Sequence, residues 1–215
     1  QGGEPKVVPL EPSPCVGCGK PAPGTLLAIV DPESHVRLPD GTVGEIWVSG
    51  SSVGMGYFNK PKQTEKTFRA RIAGSGEGPF LRTGDLGFVR DGHLFITGRI
   101  KDLIIVRGRN HYPMDLEATA ECSNPMLAKG AGAAIGLESA RHATVAIVHE
   151  LTREGWRRAD REAVAADIRE AIAAKHELHV SRVLLIKPGS LPRTTSGKVR
   201  RSACRAMAEA EISCQ

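Results

Sequence analysis

Lys198 stands in "LPRTTSGKVRR" (191–201), behind a Ser-Gly pair and ahead of Arg200 and Arg201. A lysine carried on a loop is a point charge on a flexible stem, suited to neutralising negative charge that builds on a phosphate during reaction. The loop's Pro192, Thr194, Thr195, Ser196 and Gly197 predict mobility. The plainer reading is a basic helix start, and a nucleic-acid patch lies between the two. The chain has only two tryptophans and two tyrosines and no aromatic interleaving in this cluster, so base stacking has little support. A second stretch, "RTGDLG" (82–87), sets Asp85 on a tight turn between strand-like segments. A carboxylate there can accept two hydrogen bonds from a vicinal diol such as a ribose, although by itself a turn-capping role is favoured. A third, "GRIKDLIIVRGRNHYP" (98–113), puts Arg99 and Lys101 at a change of composition. A short polar joint between domains is where a hinge is expected, with a solvated linker as the alternative. The fourth, "SSVGMGYFNKP" (51–61), follows a strand with Gly54 and Gly56. Such glycines let backbone approach a ligand, and more often they simply make a turn.

These residues need elements to hold them. "TLLAIVD" (25–31) and "GEIWVSG" (44–50) read as strands around a turn-rich link, and "KPKQTEKTFRA" (60–70) as a short helix. Residues 80–99 read as two strands joined at Asp91-Gly92, a type I′ turn signal. Beyond residue 102 the character changes. "LIIVRG" is a strand, Pro113 opens a helix, "GAAIGLE" and "ATVAIVHEL" are strands, and residues 160–178 form an amphipathic helix with Val164, Ile168, Ile172 and Leu178 near one face. "SRVLLIK" is another strand, and residues 199–212 a last helix. The expected class is α+β: a β-rich first domain (1–100), then a compact mixed domain (101–215), with the boundary near 98–103. Residues 1–24, rich in proline and glycine, predict an extended lead-in.

Composition sets the bounds. The chain has 215 residues, 40% hydrophobic and 25% charged, which is ordinary for a soluble globular protein and excludes disordered or collagen-like classes. No apolar run approaches the roughly 20 residues that span a bilayer, and the N-terminus lacks a signal-peptide pattern, so a cytosolic chain is expected. A net charge of +5 favours anionic partners without choosing among them. The five cysteines are odd in number and scattered. Cys15 and Cys18 have knuckle spacing but no second pair, so reduced thiols are expected rather than structural zinc.

Taken in order, "GEIWVSGSSVGMGYFNKP", "FLRTGDLG", "GRIKDLIIVRGRNHYPMDLE" and "LPRTTSGKVRR" resemble the later core motifs of the adenylate-forming (ANL) superfamily. Within it, "KDLIIVRGRNHYPMDLE" is more similar to fatty acyl-AMP ligases than to acyl-CoA synthetases. The resemblance implies that a fatty acid and ATP, with Mg2+, give acyl-adenylate and pyrophosphate. The acyl group then passes to the phosphopantetheine thiol of an acyl carrier protein. It also implies roles: Asp85 on the ribose hydroxyls, Arg99 at the ribose or phosphate, Lys101 as the pivot of a mobile small domain, and Lys198 between the fatty carboxylate and the α-phosphate. Arg200, Arg201 and Arg205 would remain as a helix face. His111 is then structural, and His179 ends a helix. The superfamily's phosphate loop and its adenine and magnesium stretch have no counterpart in these residues. The chain is therefore expected to be the C-terminal part of a longer enzyme, inactive alone, with apolar surface exposed on its first hundred residues. An acyl-CoA synthetase, or a non-catalytic module that docks a carrier protein, are the alternatives.

Overall fold

In the computed structural model, residues 17–138 and 143–210 are described. The chain divides into two compact units, Gln1–Lys101 and Asp102–Gln215. Cys15 and the end of the last expected helix lie outside the described residues.

The first unit is built on a four-stranded antiparallel sheet in chain order, β1 (Leu26–Val30), β2 (Gly44–Ser49), β3 (Leu81–Arg90) and β4 (His93–Arg99). Alternate residues of β1 and β2 face a core of Ala28, Val30, Trp47, Ile72 and Phe80. Asp91 and Gly92 join β3 to β4 with φ of 51° and 72°, the two positive values that a type I′ hairpin turn requires. Phe88 and Phe95, directly opposite in this hairpin, stack with ring centroids 5.0 Å apart. The helix α1 (Pro61–Phe68) takes proline at its first position, where the missing N–H costs nothing. Thr64 Oγ1 accepts the Tyr57 N–H at 2.9 Å and so ties the 51–60 stretch to α1. Met55 and Phe58 in that stretch are 95% and 90% exposed.

Two glycines shape β3. The ladder to β2 is irregular between Glu45 and Trp47, because Glu45 faces Leu86 while Trp47 faces Arg82. Residues 83–85 therefore oppose a single residue, a bulge. Gly84 supplies the left-handed φ of 73° that this bulge needs, with nothing near its missing Cβ. Gly87 is different: a Cβ there would lie 2.3 Å from the Phe95 carbonyl oxygen.

The second unit opens with a small hairpin, β5 (Ile104–Val106) and β6 (Arg109–His111). It continues through α2 (Pro113–Ser123), β7 (Leu127–Glu138), β8 (Ala143–Leu151), α3 (Arg153–Arg158), α4 (Arg161–His176), β9 (Val180–Ile186) and α5 (Arg201–Ala210). A three-stranded sheet runs β7-β8-β9, antiparallel then parallel, and α3 and α4 make the crossover that the parallel pair demands. β8 is central and buried on both faces. Its Val145, Ile147 and Leu151 pack with Leu116 of α2 and Ile168 and Ile172 of α4, while Ala146 and Val148 meet Cys204 and Ala208 of α5. Asp160 caps α4 by accepting from the Glu162 and Ala163 N–H groups, and Glu177 ends the helix in the left-handed conformation.

The elements differ from expectation in four places. β6 returns after the Arg107-Gly108 turn, where "RNH" carries no strand-forming residues. β7 begins at Leu127, earlier than its apolar run, and α3 is a six-residue helix capped by Thr152. The helix α4 stops at His176, so His179 lies in the turn before β9.

His149 on β8 is fully buried. Its Nδ1 meets the Glu150 carbonyl at 2.9 Å, while its Nε2 has no partner among the described residues and lies against Gly132. Burial pushes its pKa below the ordinary 6.5, against the opposing pull of the Glu121, Glu117 and Glu150 charges. His111 and His176 are lowered too, first by burial and then by neighbouring positive charge, each other's included for His111. An unfolded chain therefore binds protons near pH 6.5 that the folded chain refuses. Stability is complete above that pH and declines as pH falls through it. Melting temperatures measured from about pH 7.5 down to about pH 5.5 should fall, and His149→Gln should flatten the dependence. The two glycines give a second check. Gly84→Ala should lower stability by about 1–2 kcal/mol from backbone strain alone, whereas Gly87→Ala should cost clearly more because backbone must move. Urea unfolding midpoints distinguish the two.

Candidate active site

Asp85 lies inside β3, at the bulge, and not on a turn between strands as its glycine neighbours suggested. The strand continues through it because Gly84 absorbs the irregularity. Arg99, at the end of β4, is its cross-strand partner in register, and Arg99 Nε donates to Asp85 Oδ1 at 2.7 Å. A short 3-10 turn, Ile100–Asp102, follows at once and holds Lys101 exposed. Thr83, Gly84, Arg99, Ile100 and Lys101 line one recess of about 260 Å³. Three of the four expected site residues, Asp85, Arg99 and Lys101, thus belong to one small region. Arg99 occupies one carboxylate oxygen of Asp85, and the remaining acceptor sites suit a pair of hydroxyl donors. The guanidinium adds positive charge where a phosphate would be favoured.

Beneath this region is a carboxylate that the sequence did not single out. Glu45 on β2 is 2% exposed. Its Oε2 accepts from Trp47 Nε1 at 2.9 Å and from Arg82 Nε at 3.0 Å, with Arg82 Nη2 at 2.8 Å. Its Oε1 accepts the Gly84 N–H at 3.2 Å. Arg82 also reaches the His35 ring nitrogen at 2.9 Å and the Pro32 carbonyl at 3.3 Å, and its guanidinium lies over Trp47. Within the bulge, Thr83 Oγ1 donates to the Ile46 carbonyl at 2.8 Å and accepts the Asp85 N–H at 3.0 Å. "GEIW" looks like an ordinary strand with an outward glutamate. The available signal was a charged residue flanked by apolar ones, paired with an arginine in "LRTGD" thirty-seven residues on.

Lys198 belongs to the second unit. It is exposed, and among the described residues it has no ion pair. Its loop is more tightly closed than its composition suggested. The Thr194 N–H donates to the Lys198 carbonyl at 2.8 Å, the Lys198 N–H to Thr194 Oγ1 at 3.1 Å, and Arg193 bridges the Gly197 and Gly130 carbonyls at 2.9 and 2.6 Å. Upstream, the Glu150 carboxylate, 8% exposed, accepts the Gly189 and Leu191 N–H groups at 2.8 and 2.7 Å. The basic cluster after Lys198 is not one face. Arg201 turns inward and pairs with Glu117 at 2.7 Å, while Arg200 precedes α5 and Arg205 is exposed. Glu117 draws Arg201 in because its carboxylate also accepts the Ala134 N–H and is itself largely buried. His111 sits half-buried on β6. Among the described residues no group of three or more His, Cys, Asp or Glu side chains could hold a metal ion.

Comparison with known proteins gives this geometry a family. A family model described as "AMP-binding enzyme" matches residues 7–58, and one described as "Disco-interacting protein 2-like, AMP domain" matches residues 101–211. The medium-chain-fatty-acid acyl-carrier-protein ligase JamA of Moorena producens is 51% identical over 190 residues, covering 88% of this chain and 32% of that protein. The long-chain-fatty-acid AMP ligase FadD26 of Mycobacterium marinum is 48% identical over 198 residues, covering 88% and 33%. A solved structure from work on fatty acyl-adenylate ligases of E. coli and L. pneumophila superposes with a TM-score of 0.71 at 32% identity, covering 93% of this chain and 34% of that one. A McyG structure complexed with phenylalanyl-adenylate gives 0.73 at 28% identity, with the same coverage of both chains. The chain spans about a third of the length of the curated relatives it matches. The chain belongs to the AMP-binding, adenylate-forming enzyme family, on the branch that carries the fatty acyl-AMP ligases.

Proposed function

We propose that the enzyme to which these residues belong activates a fatty acid with ATP and passes the acyl group to an acyl carrier protein. The observation that carries this reading is the in-register Asp85 and Arg99 pair, whose Arg99 lines a recess together with Lys101. In it, the free acceptor sites of Asp85 take the two ribose hydroxyls of ATP, and Arg99 orients that carboxylate and faces the phosphate side. The fatty carboxylate oxygen attacks the α-phosphorus, and the bond to pyrophosphate breaks. Extra negative charge then lies between two groups that are already anionic, and Lys198, exposed and without an ion pair among the described residues, supplies the neutralising cation. Lys101 is the pivot about which the small domain turns between the two half-reactions, and residues 1–100 and 101–215 are the two parts that turn. In the second step the phosphopantetheine thiol sulfur attacks the acyl carbon, AMP leaves, and the thiol proton is released. The relatives' names support the acceptor: JamA is an acyl-carrier-protein ligase.

ATP is the substrate, and Mg2+ would travel with its phosphates. The described residues offer the ion no cluster of three ligands of their own. These 215 residues contain no phosphate loop, and the remaining length seen in the relatives would supply it. No helix among the described residues is long and apolar enough to cross a membrane. We place the reaction in the cytosol, where ATP and carrier proteins are available.

The test is to give the enzyme ATP, Mg2+ and a medium-chain fatty acid and to follow acyl-adenylate, acyl-CoA and acylated carrier protein by mass spectrometry. Acyl-adenylate should persist with coenzyme A present and move to holo carrier protein. Lys198→Ala should slow adenylation about a hundredfold or more, the loss expected for about 3 kcal/mol of electrostatic stabilisation. Efficient acyl-CoA formation would move the protein to the synthetases. Carrier-protein binding with no adenylate from any acid, and no effect of Lys198→Ala, would make it a docking module.

A further inference from the structure

We infer that Glu45, together with Thr83, is a positioning residue that sets the Asp85 carboxylate for the nucleotide. This rests on the reading of Asp85 as the ribose-binding group.

A sheet normally fixes a strand by its ladder of backbone hydrogen bonds. At residues 83–85 the ladder to β2 is interrupted, since three residues of β3 oppose one of β2, and of these Asp85 alone is in register with β4, opposite Arg99. Side chains take over the missing bonds. Glu45 Oε1 accepts the Gly84 N–H, and Thr83 Oγ1 accepts the Asp85 N–H while donating to the Ile46 carbonyl. The backbone from Thr83 to the Asp85 N–H is thereby tied to β2 through Glu45 and the Ile46 carbonyl. Gly84, in the left-handed region and with open space where a side chain would be, gives no packing of its own to resist movement. The only side-chain bond of Asp85 recorded among the described residues goes to the half-exposed Arg99. A half-exposed ion pair is too weak and too screened to hold the carboxylate alone.

Glu45 is suited to this because it is anchored from the other side. Trp47 Nε1 and the Arg82 guanidinium occupy Oε2, which leaves Oε1 directed at Gly84. An amide cannot reproduce that arrangement. A glutamine has one acceptor oxygen, so its NH2 group would face either the Arg82 donors or the Gly84 N–H. At the least the Gly84 N–H goes unsatisfied, and in the other orientation the Trp47 and Arg82 donors do, at a cost that loosens the bulge without emptying the core.

The experiment compares Glu45→Gln, Thr83→Val, Asp85→Asn and the Glu45→Gln/Asp85→Asn double variant in the full-length enzyme. It measures KM for ATP and for the fatty acid, and the preference for ATP over 2′-deoxy-ATP and 3′-deoxy-ATP. Glu45→Gln and Thr83→Val should each raise KM for ATP about tenfold and leave KM for the fatty acid unchanged. Both should lose much of the preference for the full ribose, and the double variant should be no worse than Asp85→Asn. A merely structural role would instead change both KM values or the amount of folded enzyme. Folded Glu45→Gln with the native ATP KM and native ribose preference, while Asp85→Asn loses both, would overturn the inference and leave the Asp85 reading standing. Asp85→Asn with native ATP KM and native preference would remove the ribose reading itself, and this inference with it. If Glu45→Gln does not fold, Thr83→Val decides, since it keeps the side-chain volume and removes only the Oγ1 bonds; a native profile there overturns the inference.

Discussion

A carboxylate taken out of water must be matched by donors, and that requirement at Glu45 organises the first unit. Glu45 is 2% exposed and gathers Trp47, Arg82 and the Gly84 N–H around one side chain. Through Arg82 the same group reaches His35 and Pro32, in the first residues of the link that leaves β1. The Asp31 carboxyl accepts the Ser34 and Glu33 N–H groups in that link, and the Ser34 bond above all holds it below the usual carboxylate range. β1, β2 and β3 are therefore coupled by polar contacts as well as by the small apolar core around Trp47.

The second unit repeats the device with different residues. Glu150, on the central strand β8, accepts two backbone N–H groups from the segment that leads toward Lys198. Glu117 does the same for Ala134 and anchors Arg201 at the start of α5. In both units a buried glutamate accepts backbone N–H groups of a non-regular segment, at Gly84 beside Asp85 and at Gly189 and Leu191 upstream of Lys198. Backbone N–H groups outside helices and ladders need acceptors, and a buried carboxylate satisfies two at once. It also makes the segment rigid, as preorganised electrostatics requires.

Much of the element order could be read from pattern. Asp91-Gly92 marked its hairpin, Val164, Ile168 and Ile172 marked the buried face of α4, and four motifs in order carried the family. What escaped was short or polar. The strand "RNH" has no apolar alternation, and the α3 helix is shorter than the window over which periodicity is informative. Arg201 looked like one more surface cation because a sequence does not show that Glu117, eighty-four residues away, lies beside it.

The sequence by itself determined the residue types at the site and the strand, turn and helix signals around them, because these depend on neighbours within a few positions. With the family resemblance it was enough to put forward Asp85, Arg99, Lys101 and Lys198 as candidates. Only the tertiary structure decided that Asp85 sits in a bulged strand rather than on a turn, that Arg99 faces it in register, and that Glu45 and Thr83 hold the backbone between. Those are contacts between residues far apart in the chain, set by strand register. A shift of one residue would turn Glu45 to the other face of its sheet, and local propensity does not encode register.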